Sequence, residues 1–222
     1  MPIIFLDYGH GGNDSGAVCE NVKEKDLNFQ IGQRVKHHIE RHGQTVIESR
    51  SDDTNPSLSS RSLKANVNNV DLAVSIHCNS FSDTSVCGLE TYTYGKGTRE
   101  LQLAKCVHNA LIKDGLYTKN RGIKQGDLHM VREIKTASIL VELGFISNKT
   151  DREMLLNNIE KYAESLARGI LSFYDIMYSE DITKSTSKFY RVQIGAFAER
   201  KNADNLSMEL RKKGYSTVIK YY

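Results

Sequence analysis

At 222 residues, 39% hydrophobic and 26% charged, the chain has the make-up of an ordinary soluble globular protein, with room for one full domain and a small appendage. No apolar run approaches the ~20 residues that span a bilayer, and four cysteines without CxxC spacing argue for free thiols rather than a disulfide framework. The net charge of +3 is uneven, because residues 188–222 carry eight Lys/Arg against three Asp/Glu, a net of +5 that leaves −2 on the rest.

The first element is the apolar run Ile3 to Asp7, a buried strand that ends in the glycine-rich turn GHGG. It has no basic region before it and is too short for a secretory signal, so synthesis without a leader is expected. From Asp26 the apolar residues Leu27, Ile31, Val35 and Ile39 fall at helical spacing, with Gly43 as the stop. Thr45 to Glu48 reads as a strand, Ser57 to Asn69 as a helix and Asp71 to His77 as a strand. Ser80 to Ser85 is a polar loop, and Leu89 to Tyr94 alternates as a strand does. A helix is expected over Leu101 to Leu116, an apolar strand over Ser138 to Leu143 and one long helix over Asp151 to Tyr174. His37, His38, His42 and His108 fall on helices and are expected in solvent.

Residues 175 to 188 lack an apolar stripe and read as linker. FYRVQIGAF (189–197) is then a strand, Lys201 to Lys213 a helix with Ala203, Leu206, Met208 and Leu210 on its apolar side, and Tyr215 to Tyr222 a second strand. This βαβ unit is small to stand alone. Strands alternating with helices give an α/β class, a single twisted, mostly parallel or mixed sheet flanked by helices with a small βαβ module appended. The expected division is 1–175 for the main domain, 176–188 for the linker and 189–222 for the module.

Chemistry concentrates where these elements begin and end. His10 follows the first strand, His77 closes another, Glu142 lies near the end of a third and Glu24 opens the first helix. Two imidazoles and a carboxylate are the ligand set of a catalytic zinc with an open position, and a further carboxylate is the usual acceptor of a proton from its water. Each has a plainer explanation. Glu24 suits the first turn of any helix, and a histidine at a strand end is commonly structural. Glu142, inside LVELGF, is the hardest to explain away, since a buried carboxylate costs several kcal/mol unless paired or working. The turn GHGGNDSG fails the dinucleotide fingerprint, because G-x-G-x-x-G needs glycine at Asp14, and no GK[ST] follows. Alternation turns Cys78 away from His77, which removes it as a ligand.

Taken in order, LDYGHGGNDSGAV, KEKDLNFQI, SRSDDTNPSLSSRSLKAN, SIHCNSF, GLETYTYG and SILVELGFISNKTDREML resemble the zinc-dependent N-acetylmuramoyl-L-alanine amidases of the Amidase_3 type over roughly residues 2 to 175. The resemblance implies zinc bound by His10, Glu24 and His77, with Glu142 as the catalytic base. It also implies hydrolysis of the amide that joins N-acetylmuramic acid to L-alanine of peptidoglycan. Arg61 and Asn79 lie in matched segments: Arg61 would steady the substrate or a loop, and Asn79 would orient His77. Tyr8 and Ser15 stand where this family usually has proline, which bears on loop shape or substrate fit.

The tail is similar to the first half of a SPOR domain, a peptidoglycan-binding module, and pairing of two copies through an exposed edge would give a homodimer. The rival readings are a wall-binding protein without activity and a zinc deacetylase or peptidase acting on the same polymer. A nucleic-acid partner is not expected, because the basic helix has few stacking aromatics. Membrane insertion is not expected either. Without a leader, such an enzyme would reach the wall after release, as a phage endolysin or as an autolysin of a lysing mother cell.

Overall fold

One six-stranded sheet organises the main unit, in the order β4-β1-β5-β8-β6-β7, from Thr45–Glu48 (β4), Ile3–Tyr8 (β1), Leu72–Asn79 (β5), Ala137–Phe145 (β8), Leu89–Thr93 (β6) and Asn120–Gln125 (β7). β1, β4, β5 and β8 are mutually parallel, while β6 runs antiparallel to β8 and β7 follows β6. A two-residue hairpin, Val18–Cys19 (β2) with Val22–Lys23 (β3), leads into the first helix. The structure is a computed structural model and describes residues 1–95, 97–179 and 195–213. The chain divides into two compact units, Met1–Ile182 and Thr183–Tyr222.

The two faces of the sheet are covered unequally. Helices Glu24–Arg41 (α1), Thr98–Lys113 (α3) and Ile159–Ser172 (α6) lie over one face. Their apolar stripes, among them Leu27, Ile31, Val35, Leu103, Val107, Leu166 and Ile170, close on Leu6, Val74, Ile76, Ile139 and Val141, all essentially sealed from solvent. At ~25 cal/mol per Å² this burial is the dominant stabilising term of the unit. Cys78 lies in this core, on the side away from His77. The opposite face carries a smaller cluster in which Ala65 of Leu58–Val67 (α2) and Met130 of His129–Glu133 (α4) cover Phe5 and Ala73. That cover lies over the beginnings of the parallel strands, and Asp7, Ser75, His77 and Glu142 follow toward their ends on the same face.

The structure differs from the sequence reading in several places. The helix expected over Asp151 to Tyr174 is two, Lys149–Asn157 (α5) and α6. Asn158 breaks it at φ −129°, and its Nδ2 donates to the Met154 carbonyl that the helix would otherwise use. β7 and α4 were not expected. β7 (NRGIKQ) is a polar edge strand bonded on one side only, so it shows no apolar period. His38 and His108 are buried and not solvated: His108 bonds Thr91 Oγ1 and Asn120 Oδ1, each at 3.0 Å. His38 meets Glu160 at 2.8 Å and the Tyr178 hydroxyl at 3.1 Å. Tyr178 falls in the segment read as linker, yet its ring stacks on His42 with centroids 4.8 Å apart. All four cysteines are free thiols.

In the second unit, residues Arg200–Lys212 form a helix (α7). Ala203, Leu206 and Leu210 are half-buried, whereas Met208 is exposed and lies off that stripe. Apart from residues 195–197, the two strands expected at 189–197 and 215–222, and the pairing built on them, lie outside the described residues. Among the described residues no helix is long and apolar enough to cross a membrane.

Candidate metal centre

Three chain segments converge on the open part of the sheet. The turn after β1 brings His10, the start of α1 brings Glu24 and the end of β5 brings His77. One ligand atom from each lies within 4.8 Å of the others. Glu24 is the hub: its Oε2 is 3.1 Å from His10 Nε2, and its Oε1 is 2.9 Å from His77 Nδ1. The other His10 nitrogen, Nδ1, bonds Asp14 Oδ2 at 2.9 Å, the carboxylate–imidazole arrangement that fixes ring orientation in metal sites. Further bonds seat the Glu24 carboxylate, with the Ala17 and Cys78 amides donating at 2.9 and 3.1 Å and Asn28 Nδ2 at 3.2 Å.

The turn that carries His10 is held by cations. Arg61 Nη1 donates to the Tyr8 carbonyl and its Nη2 to the His10 carbonyl, both at 2.8 Å. Arg50 Nε also reaches the Tyr8 carbonyl, at 3.1 Å, and Lys25 Nζ the Gly12 carbonyl, at 2.8 Å. Carbonyls that no strand or helix satisfies are thus met by charged donors, the stronger kind of hydrogen bond. His10 itself is held in the left-handed region at φ 63°, which a non-glycine residue occupies only when its surroundings insist. Glycines make room for the ligands. A Cβ on Gly9 would sit 2.2 Å from the His77 ring, and one on Gly16 would sit 2.5 Å from Glu24 Oε2 and 2.6 Å from His10 Cδ2.

Glu142 enters from the neighbouring strand, directly in register with His77. Its Oε2 is sealed from solvent and has no hydrogen-bond partner. Burial pushes its carboxyl up to about 7, and the charges of Glu24 and Glu90 add to the rise against the imidazoles. The Glu24 carboxyl moves the other way. Burial would raise it, but hydrogen bonds from His10 and His77 hold it far below the usual range. His10 is lifted to about 9, chiefly by its bond to Glu24. For His77, burial works downward, yet the Glu24 bond and the charges of Glu142 and Glu24 outweigh it and raise the ring. Two neighbouring carboxylates are thus pushed to opposite proton affinities by their surroundings.

The donor set fits a metal ion. Two imidazoles and one carboxylate within reach of a common point are what an open catalytic zinc site uses, and Glu142 stands in register with one of those imidazoles. A second cluster, His38 with Glu160 and Glu164, differs in that Glu160 is already taken by Arg34 at 3.1 Å.

Of the two remaining expected residues, Arg61 bonds the turn that carries His10, while Asn79 does not bond His77. Arg61 is buried, bonded to the His10 turn and paired with Asp7 Oδ1 at 2.8 Å. Its guanidinium steadies the loop. Asn79 makes no hydrogen bond to His77, which is oriented by Glu24. Its Nδ2 donates to Glu90 Oε2 at 3.4 Å. Tyr8 points into the core on the α1 face, over Gly32, and so does not shape the cleft. The sequence reading missed Asp14, Lys25, Arg50 and Glu90. Of these only Glu90 leaves a trace, as a lone acid between apolar residues in LETYT. Alongside the candidate metal centre runs a cleft of about 350 Å³, walled by Asn55, Pro56, Ser57 and Leu58 at the start of α2 and by Gly9, His10 and His77.

Comparison with known proteins gives the family. Residues 4–172 match the N-acetylmuramoyl-L-alanine amidase family, and residues 186–222 match the SPOR domain. The chain is 32% identical to the N-acetylmuramoyl-L-alanine amidase CwlM of Bacillus licheniformis, a match that covers 100% of this chain and 85% of that protein. It is 33% identical to the sporulation-specific N-acetylmuramoyl-L-alanine amidase of Bacillus subtilis over 99% of this chain and 84% of that one. Among solved structures, the catalytic domain of the amidase CwlV from Bacillus (Paenibacillus) polymyxa var. colistinus superposes with a TM-score of 0.75 at 30% identity, covering 79% of this chain and 99% of that chain.

Proposed function

The chain belongs to the N-acetylmuramoyl-L-alanine amidase family and is a peptidoglycan amidase, and from that premise we propose that it hydrolyses its amide as a zinc enzyme, with His10, Glu24 and His77 as ligands and Glu142 as general base. The bond is the one between N-acetylmuramic acid and L-alanine. A bound zinc supplies Lewis acidity and lowers the pKa of a coordinated water to about 7. Everything else is the work of side chains. Glu24 places both imidazoles, and Asp14 and the cation-capped turn hold His10. Glu142 takes the proton of the attacking water and returns it to the leaving amine.

The observation that carries this reading is Oε2 of Glu142, sealed from solvent and without a hydrogen-bond partner among the described residues, on a residue in register with His77 of the adjoining strand. Zinc content and release of L-alanine amino termini from purified peptidoglycan, measured on wild type and Glu142→Gln, test it. The wild type should hold about one zinc, and the variant should keep its zinc while losing about 10²–10⁴-fold in turnover. A variant with full turnover would remove Glu142 from the mechanism. Loss of His10 or His77 should lower the metal content itself.

Residues 186–222, which match the SPOR domain, are the second hold on peptidoglycan. We assign residues 1–175 to catalysis, 176–188 to the connection and 189–222 to wall binding. The net charge of +5 over residues 188–222 favours an acidic polymer.

A further inference from the structure

On the face that carries the metal centre, a second charged network lies one strand further on. Glu90 of β6 stands directly opposite Glu142 and is almost fully buried. Its Oε1 accepts from Lys124 Nζ at 2.6 Å and from Arg121 Nε, and its Oε2 accepts from the Tyr92 hydroxyl at 2.7 Å. Asn79, two residues beyond His77, joins the same carboxylate. Every acceptor position of Glu90 is therefore met, and two cations share one anion, which leaves one positive charge beside the reaction centre.

Arg121 is the part of this network that is built to do more. Glu90 holds its Nε and the Phe145 ring lies 5.2 Å under its guanidinium, so the planar group is fixed. Yet neither of its Nη groups donates to any described residue, and the side chain is about a quarter exposed, at 27%. A seated guanidinium with its outer fork unused is the arrangement that takes a carboxylate in bidentate fashion. Lys124, 36% exposed, adds charge at the same place.

The opposite wall of the site is different in kind. Asn55, Pro56, Ser57 and Leu58 are uncharged, and the charged residues that line the cleft beside them are already paired, Asp7 with Arg61 and Asp14 with His10. The substrate has the matching asymmetry. The muramoyl carboxyl is consumed in the scissile amide, so the glycan side is neutral there, whereas the peptide side keeps free carboxylates. We propose that Arg121, seated by Glu90 and joined by Lys124, binds a free carboxylate of the stem peptide, so that the peptide lies toward β6 and β7 and the glycan toward α2. This rests on the amidase reading.

The test is equilibrium binding of an N-acetylmuramoyl-L-alanyl peptide to the full-length, zinc-loaded Glu142→Gln protein, whose turnover is expected to be about 10²–10⁴-fold slower. The same peptide with its carboxylates amidated serves as the comparison. The free acid should bind about tenfold or more tightly than the amidated form. Adding Arg121→Lys, which keeps a cation on Glu90 but removes the fork, should shrink that ratio several-fold with the fold intact by circular dichroism. On the wild-type enzyme amidation should raise KM and leave kcat unchanged. Equal binding of the two peptides overturns the proposal, as does an Arg121→Lys protein that keeps the full preference or loses affinity for both peptides equally. Wild-type protein that releases no L-alanine termini from either peptide would instead strike the amidase reading, while the binding ratio still decides the role of Arg121.

Discussion

The two faces of one sheet do opposite jobs with alternate residues of the same strands. On β5, Ile76 is sealed beneath α1, α3 and α6 while His77 faces the metal centre. On β8, Val141 belongs to that core while Glu142 sits over the open half of the other face. Three helices complete the first face, and two short helices cover only the beginnings of the strands on the second. The lesson concerns the cost of polar groups. A carboxylate or imidazole in the closed face would face desolvation without compensation, whereas the open half-face lets charges pair with one another, with backbone and with a ligand.

Four substitutions probe this division. The largest effect on folding is expected from Arg61→Ala, which strands the buried Asp7 carboxylate and frees the carbonyls of Tyr8 and His10. Unfolding by urea should show a loss of about 3–5 kcal/mol, accompanied by weaker zinc binding because the His10 turn loosens. Zinc affinity that stays at wild-type level would separate the turn from the metal site and break the link drawn here.

Next comes the contrast within β5. Ile76→Ala should cost about 2–5 kcal/mol through the cavity it leaves in the closed core and keep its zinc, whereas His77→Gln should lose zinc with a smaller change in metal-free stability. If both substitutions changed both properties alike, the faces would not be separable in the way described.

The smallest effect is one of pH. Burial raises the Glu142 carboxyl from 4.5 to about 7 in the folded chain, so the fold favours its protonated form. Its contribution is intact below pH 4.5 and is lost as pH rises through about 7. Metal-free Glu142→Gln should therefore exceed metal-free wild type in stability by on the order of 3 kcal/mol at pH 8. Near pH 4 the two should coincide. A difference that is the same at both pH values would mean that the glutamine acts by packing and not by removing a buried charge.

Much of the site is legible in the chain because its residues sit at ends of strongly patterned elements. The apolar runs before His10, His77 and Glu142 announce strands, and a lone acid inside LVELGF is conspicuous against them. The supporting residues are not legible. Asp14, Lys25 and Arg50 look like ordinary surface charges in sequence, and Arg61 is marked only by the family resemblance. Lys25, Arg50 and Arg61 act by reaching one turn from positions farther along the chain: Arg61 Nη2 bonds the carbonyl of His10, 51 residues away. β7 stayed hidden for another reason. An edge strand paired on one side has no need of alternation, so NRGIKQ shows none.

What the sequence determined by itself is the local part: the alternation that makes strands, the spacing that makes α1 and α3, the glycines that leave room in the turn and the donor types that suit zinc. What only the tertiary structure decided is which charges meet. Sheet order set Glu142 beside His77 and Glu90 beside Glu142, and left Arg121 with its fork unused. The physical reason is that periodicity is a property of neighbouring residues, while pairing between charges depends on distances that exist only once the strands have found their order.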